Sequence, residues 1–162
     1  MWIDDGTDAT IALKETRRAA VAECIQKLNN TVGKQFLLLQ MPEDPHAGPC
    51  VPIEFSETKR CYGFTNTRRW KHAPNHLSRA RIVISEAITE QAALESTICH
   101  EMGHALGLGH VQRDAGCKRG DTEEMMESGC GARMKRRGYR WLIGKHTSRR
   151  LSELYGGDEW GM

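Results

Sequence analysis

The sequence lacks any apolar run long enough to cross a membrane. A membrane-spanning helix needs about 20 consecutive, mostly apolar residues, and no stretch of the 162-residue chain approaches that length. Residues 1–6 have neither the basic region nor the apolar region of a signal peptide. We therefore expect no membrane partner, and no signal peptide within this chain.

A strong charge excess and internal repeats are missing as well. The chain carries 23 Lys and Arg residues against 21 Asp and Glu residues, a formal net charge of +2 at pH 7, which is ordinary for a soluble protein. No repeat, low-complexity tract or long linker divides it, and 162 residues is about the length of one domain. We predict a single domain over residues 1–162.

No two cysteines have the C-x-x-C spacing that is typical of structural zinc sites. The six cysteines are an even number, which favours disulfides instead. Proximity along the chain suggests two local bridges, Cys50 with Cys61 and Cys117 with Cys130. If these disulfides form, the protein belongs in an oxidising compartment.

The remaining two cysteines, Cys24 and Cys99, fall on predicted helices. Two interpretations stay open for them at this point. They can form a third bridge, or they can be buried thiols that pack as small apolar groups.

Hydrophobic periodicity predicts a first helix over residues 15–30, ended by Gly33. Its apolar positions recur with the spacing i, i+3, i+4 and i+7 and should face the core: Val21, Cys24, Ile25 and Leu28. Arg17, Arg18 and Lys27 fall off this stripe.

Short apolar or alternating runs predict strands between and around the helices. They cover residues 10–13, 36–40, 51–57, 59–65 and 79–85. Residues 42–52 are rich in proline and predict a surface loop, and residues 67–78 are polar and predict irregular structure. A last helix is predicted near residues 151–156.

A second amphipathic helix is predicted from about residue 89 onward. One face collects apolar side chains that should be buried: Leu94, Ile98, Met102 and Ala105. A different face carries His100 and His104, so the helix can bury one side and offer the other to a cleft.

The second helix ends in a segment with the pattern of a catalytic zinc site. His100 and His104 are one helical turn apart, so both can bind one metal ion from the same face of the helix. Glu101 lies beside that ion and is placed to act as a general base. His110 is too far along a straight helix to be the third ligand, so the chain must turn near Gly107.

Residues 100–110 read H-E-x-x-H-x-x-G-x-x-H and therefore resemble the signature of the metzincin clan of zinc endopeptidases. The resemblance implies an α+β fold with a twisted mixed β-sheet, a backing helix and a zinc-site helix. Residues 1–110 would form an upper subdomain, and residues 111–162 a small irregular lower one that ends in a helix. The size resembles the matrix metalloproteases, whereas the long link after His110, with its cysteine, resembles the disulfide-bearing branches.

The same resemblance implies a methionine in a tight turn beneath the zinc ligands. Met126 is the preferred candidate and Met125 the alternative. In this clan the following segment forms the wall of a substrate pocket, and here residues 131–150 are basic without any acid. We hypothesise that one arginine makes this pocket favour acidic side chains. The candidates are Arg133, Arg136, Arg137 and Arg140.

These patterns predict a zinc-dependent endopeptidase that hydrolyses proteins or peptides with metal-activated water and Glu101 as the base. Two alternatives are a catalytically silent zinc-binding interaction module and a basic nucleic-acid-binding protein with a structural zinc. The presence of Glu101 argues against the first, and the lack of a fourth protein ligand at the motif argues against the second. We expect a secreted, extracellular monomer that has no nucleic-acid partner.

Overall fold

A computed structural model of the protein describes residues 1–4, 10–39, 51–58, 61–70, 73–111, 125–127 and 143–156. These ranges contain, in chain order, the elements β1 (Trp2–Asp4), α1 (Ile11–Val32), β2 (Pro52–Ser56), β3 (Gly63–Trp70), β4 (Ala73–Ser85), α2 (Gln91–Ala105) and α3 (Lys145–Tyr155). The predicted α+β class is confirmed. Within the described ranges, no helix combines the length and the apolar character that a membrane span requires.

The strands form one mixed sheet in the order β1-β2-β4-β3. β1 pairs in parallel with β2, and β2 pairs in parallel with β4. β3 runs antiparallel to β4 and lies at the edge of the described sheet. This arrangement matters for function because β3 is also the strand in closest contact with α2.

The core lies where α1 and α2 pack against each other and against one face of the sheet. Alternate residues of the central strands point into it, as Ile53 and Phe55 on β2 show. The apolar stripes predicted on both helices are buried, which confirms them: Val21, Cys24, Ile25, Leu28, Leu94, Ile98, Met102 and Ala105. α2 is thus held on its apolar face, while its histidines lie on another.

Residues 10–13 begin α1, so the strand predicted there is wrong. The side chain of Thr10 caps the helix by accepting a hydrogen bond from the Leu13 amide at 3.3 Å. At the other end Gly33, with φ of 78°, stops the helix as predicted. The capping threonine explains why a short β-branched run here is helical.

The prediction of irregular structure over residues 67–78 is also wrong, because β3 extends to Trp70 and β4 begins at Ala73. The paired residues of this hairpin include Asn66 with Arg81 and Arg68 with Arg79, all of them exposed. Hydrophobic alternation reports a strand only where one face is buried. This exposed part of β3 and β4 is held by backbone pairing, which leaves no alternation of apolar and polar residues in the sequence.

Residues 35–39 do not form the strand that was predicted over 36–40, although Phe36 and Leu37 pack against the core. The backbone of this segment makes its hydrogen bonds with the side chain of Asn29, where a strand would pair with a neighbouring strand. Its Oδ1 accepts hydrogen bonds from the amides of Phe36 and Leu37 at 3.1 and 3.0 Å, and its Nδ2 donates to the Leu37 carbonyl at 2.9 Å. The segment is therefore tied to α1 through Asn29, and its Leu38 carbonyl also accepts a hydrogen bond at 2.6 Å from the amine of Met1, directly before β1.

The prediction that Arg17 falls off the apolar stripe of α1 is wrong: Arg17 lies one turn before Val21 on the same face and is only 3% exposed. Its guanidinium lies 4.4 Å from the centre of the Phe55 ring, which places a cation–π contact between α1 and β2. Helical spacing already places Arg17 on the buried face, but it could not show the aromatic partner, which comes from a distant strand.

Three cysteines fall in the described ranges, and none of them is in a disulfide. Cys24 and Cys99 are buried thiols, which decides between the two interpretations left open for them. Cys61 is an exposed free thiol, so the predicted bridge to Cys50 is wrong. The pair Cys117 and Cys130 lies outside the described residues. The secreted location therefore stays a prediction, without support from these thiols.

We predict that Asn29→Ala lowers the free energy of unfolding by about 1–3 kcal/mol, because three hydrogen bonds to residues 36 and 37 are lost. Asn30→Ala is the matched control, since Asn30 is exposed on the same helix and the change in helix propensity is the same. Urea denaturation of both variants gives the difference. Equal stability of the two variants would contradict the anchoring role of Asn29.

Candidate metal centre

The structure brings the three predicted histidine ligands together. The Nε2 atom of His110 lies 3.2 Å from Nε2 of His100 and 3.1 Å from Nε2 of His104. The ring centroids are 4.7 to 5.2 Å apart. Three imidazole nitrogens therefore meet at one point beside the C-terminal half of α2.

Backbone carbonyls determine which nitrogen of two rings carries the proton. Nδ1 of His100 lies 2.6 Å from the Met125 carbonyl oxygen, and Nδ1 of His104 lies 2.9 Å from that of Leu108. A carbonyl oxygen can only accept, so each Nδ1–H must donate. The Nε2 lone pairs of both rings are then directed at the meeting point, as in histidine metal ligands with a second hydrogen bond.

This donor set fits a zinc ion. Ligands placed tetrahedrally about 2.0–2.1 Å from zinc lie about 3.3 Å from one another, close to the separations observed. The Nε2 lone pairs of His100 and His104 both face Nε2 of His110 at hydrogen-bond distance. If this nitrogen of His110 carries a proton, it can donate to only one of the two, and the other lone pair has no donor. A bound cation satisfies all three nitrogens at once, and His100, His104 and His110 are the residues that can hold it.

The environment favours the neutral form of His100 and His110, the form that metal binding requires. Burial lowers the pKa of His100 to about 4. Burial, together with the neighbouring His104, also lowers the pKa of His110. At neutral pH these two rings therefore hold no extra proton that a metal would have to displace.

Gly107 makes the turn that brings the third histidine back. Its φ is 88°, in the left-handed region that glycine reaches without steric cost. The amides of Gly107 and Leu108 close the end of α2 by donating to the carbonyls of His104 and Gly103 at 3.0 and 2.9 Å. The predicted turn is confirmed, and it also presents the Leu108 carbonyl that orients His104.

Met125 and Met126 form a fully buried turn against α2. A Cβ on Gly103 would overlap the Met126 sulfur and lie 2.9 Å from Cε of Met125, so the turn packs directly on the helix backbone. The Met125 carbonyl orients His100. The Met126 carbonyl accepts from the amide of Val111, just past the third ligand, at 3.0 Å.

Both candidates for the methionine turn therefore lie at the centre, each with its own contacts. The preference for Met126 over Met125 stays a prediction. Arg133, Arg136, Arg137 and Arg140 lie outside the described residues, so the pocket that favours acidic side chains also stays a prediction.

Glu101, the predicted base, is a residue of α2 that is 6% exposed, and its side chain extends toward β3. Its Oε2 accepts a hydrogen bond from Oγ1 of Thr65 at 2.6 Å. Burial raises the pKa of Glu101, while the Thr65 hydroxyl and, to a smaller extent, the neighbouring His104 ring act in the opposite direction. The carboxyl is thus a stronger base than one in water, as proton abstraction requires.

Thr65 and Tyr155 are two residues of the site that the sequence pattern did not reveal. Tyr155 on α3 donates from its hydroxyl to the Leu106 carbonyl at 2.8 Å, and its ring stacks on Phe36. This bond satisfies a carbonyl at the end of α2, directly before Gly107. Neither residue belongs to a local motif, so no sequence signal was available to find it.

A family model described as the SprT-like family matches residues 21–118, well over half of the chain. The matched segment contains all three histidines, Glu101 and Thr65. A search of curated proteins found no match.

We predict that Gly103→Ala weakens both the fold and metal binding. The added methyl group collides with the methionine turn, and such overpacking costs about 1–3 kcal/mol. The displaced turn carries the Met125 carbonyl that orients His100, so zinc affinity should fall as well. Thermal unfolding and zinc titration against a chromophoric chelator measure the two effects.

Gly109→Ala is the control for that substitution, because a methyl group there meets no atom within 4 Å and Gly109 has no positive φ. It should leave stability and zinc affinity unchanged. Helix propensity alone would make Gly103→Ala stabilising by about 1 kcal/mol. A more stable Gly103→Ala variant would therefore contradict the close packing described.

Proposed function

The chain belongs to the SprT-like family, a zinc-metallopeptidase-like family, and we propose that it is a zinc-dependent endopeptidase that cleaves protein or peptide substrates. One observation carries this proposal. Three histidine nitrogens converge on a single point, and the residue between the first two ligands in the chain is a buried glutamate. A purely structural zinc site has no use for that carboxylate.

A zinc ion held by His100, His104 and His110 would supply Lewis-acid chemistry, lowering the pKa of water to about 7 and polarising a peptide carbonyl. Glu101 accepts a proton from the attacking water at a carboxylate oxygen and donates it to the departing amine nitrogen. The carbonyls of Met125 and Leu108 keep the first two ligand rings oriented throughout. No covalent bond to the protein forms in this scheme.

Two features support a metzincin-type arrangement of this site. The chain reverses at Gly107 to present His110, and the methionine pair packs beneath the helix that carries the other two ligands. The turn was predicted from the position of His110 along the chain, and the methionine pair was expected from the resemblance of residues 100–110 to that clan. The finer assignment within zinc peptidases is therefore part of the proposal, together with a monomeric state.

We predict that the zinc-loaded protein cleaves casein and that a chelator abolishes the cleavage. Glu101→Gln should retain zinc and lose activity by about 100-fold or more, because proton transfer contributes that much. His110→Ala should instead lower the zinc content, because one of three ligands is missing. Zinc is measured on the same samples that are assayed.

His146→Ala is the control, since His146 is an exposed histidine on α3 and its loss should change neither zinc content nor cleavage. Near wild-type turnover by Glu101→Gln would exclude the proposed base. Full zinc binding without chelator-sensitive cleavage by the wild-type protein would favour a zinc-binding module without peptidase activity.

A further inference from the structure

The edge strand β3 lies so close to Glu101 on α2 that a side chain at Gly63 would not fit between them. A Cβ on Gly63 would lie 2.9 Å from Cγ2 of Thr97, 3.0 Å from Cγ of Glu101 and 3.2 Å from the Val83 carbonyl oxygen. Any other residue at position 63 would push the strand away from α2. The glycine therefore brings the start of β3 into contact with the Glu101 side chain.

Thr65 lies two residues further along and points toward the same face of the sheet. Its Oγ1 is 2.6 Å from Oε2 of Glu101 and 2.9 Å from the main-chain oxygen of the same residue. The hydroxyl has one proton and two acceptors to choose from. The shorter contact falls in the range of charge-assisted O–H···O⁻ bonds, so the carboxylate is the favoured acceptor.

The two ends of this bond differ in their freedom to move. Threonine is β-branched and stiff about χ1, and β3 is paired along its length with β4. Glu101 has three side-chain torsions, the last of them broad. Among the described residues, no other side chain is hydrogen-bonded to its carboxylate. The hydroxyl is therefore the fixed point, and the carboxylate is the group that it orients.

We propose that Thr65 is a positioning residue that holds the Glu101 carboxylate through Oε2 and so leaves Oε1 to exchange the proton with water. This inference rests on the proposed role of Glu101 as the base. Thr65 has no contact with substrate or metal in this scheme and acts only through the glutamate. Gly63 supports the arrangement by allowing the strand to come close.

The test compares Thr65→Val and Thr65→Ser with Thr67→Val as the matched control. Valine keeps the shape and strand preference of threonine and has a methyl group in place of the hydroxyl, whereas serine keeps the hydroxyl. Thr67 is an exposed threonine on the same strand. We expect Thr65→Val to lower kcat by about 10–100-fold, as the loss of such supporting groups does, with KM and zinc content unchanged.

Thr65→Ser should recover most of kcat, and Thr67→Val should match the wild type. Equal loss in Thr65→Ser and Thr65→Val would overturn the proposal, because a hydroxyl would then not be what matters. So would a Thr65→Val enzyme with wild-type kcat.

Crystal structures of the wild type, Thr65→Val and Thr65→Ser give a readout that does not depend on activity. The carboxylate of Glu101 should occupy one orientation in the wild type and the serine variant, and should rotate or spread over several in the valine variant. An unchanged carboxylate in Thr65→Val would overturn the positioning role. If the wild type binds zinc without cleaving peptides, the proposed function fails, and these structures still decide whether Thr65 orients Glu101.

Discussion

Three imidazole nitrogens that converge on one point are the constraint on which this structure depends. At least one Nε2 lone pair has no donor there unless a cation lies between the nitrogens, and two of the rings are held in this orientation by backbone carbonyls. One carbonyl belongs to the methionine turn and the other to the segment after Gly107. The folding of both segments against α2 is thereby coupled to the geometry of the metal centre.

Close packing on α2 is the means by which the rest of the molecule supports this centre. Gly103 allows the methionine turn to touch the helix backbone, and Gly63 allows β3 to touch the Glu101 side chain. α3 satisfies the last carbonyl of the helix through Tyr155. Each contact supports a different part of the site: a ligand, the base and the turn to the third ligand.

The predictions from sequence succeeded where burial leaves a periodic pattern and failed where it does not. The apolar stripes of α1 and α2, the α+β class and the strands at β2 and the end of β4 follow from such patterns. Where β3 pairs with β4 through Asn66, Arg68, Arg79 and Arg81, the side chains are exposed and no apolar alternation results, so residues 67–78 were predicted to be irregular. Residues 36–40 were predicted to be a strand because the run is apolar, and apolar content does not reveal that Asn29 accepts and donates the hydrogen bonds of this segment.

The sequence by itself determined the ligand set, the candidate base and the glycine turn, because helical spacing and the freedom of glycine are local properties of residues 100–110. Only the tertiary structure decided which nitrogen of His100 is directed at the metal centre, what holds the base and what satisfies the Leu106 carbonyl. Those partners are separated from the motif by 25 residues at Met125, 36 at Thr65 and 49 at Tyr155. Chain spacing carries no information over such distances, since the contacts exist only once the sheet and helices have packed.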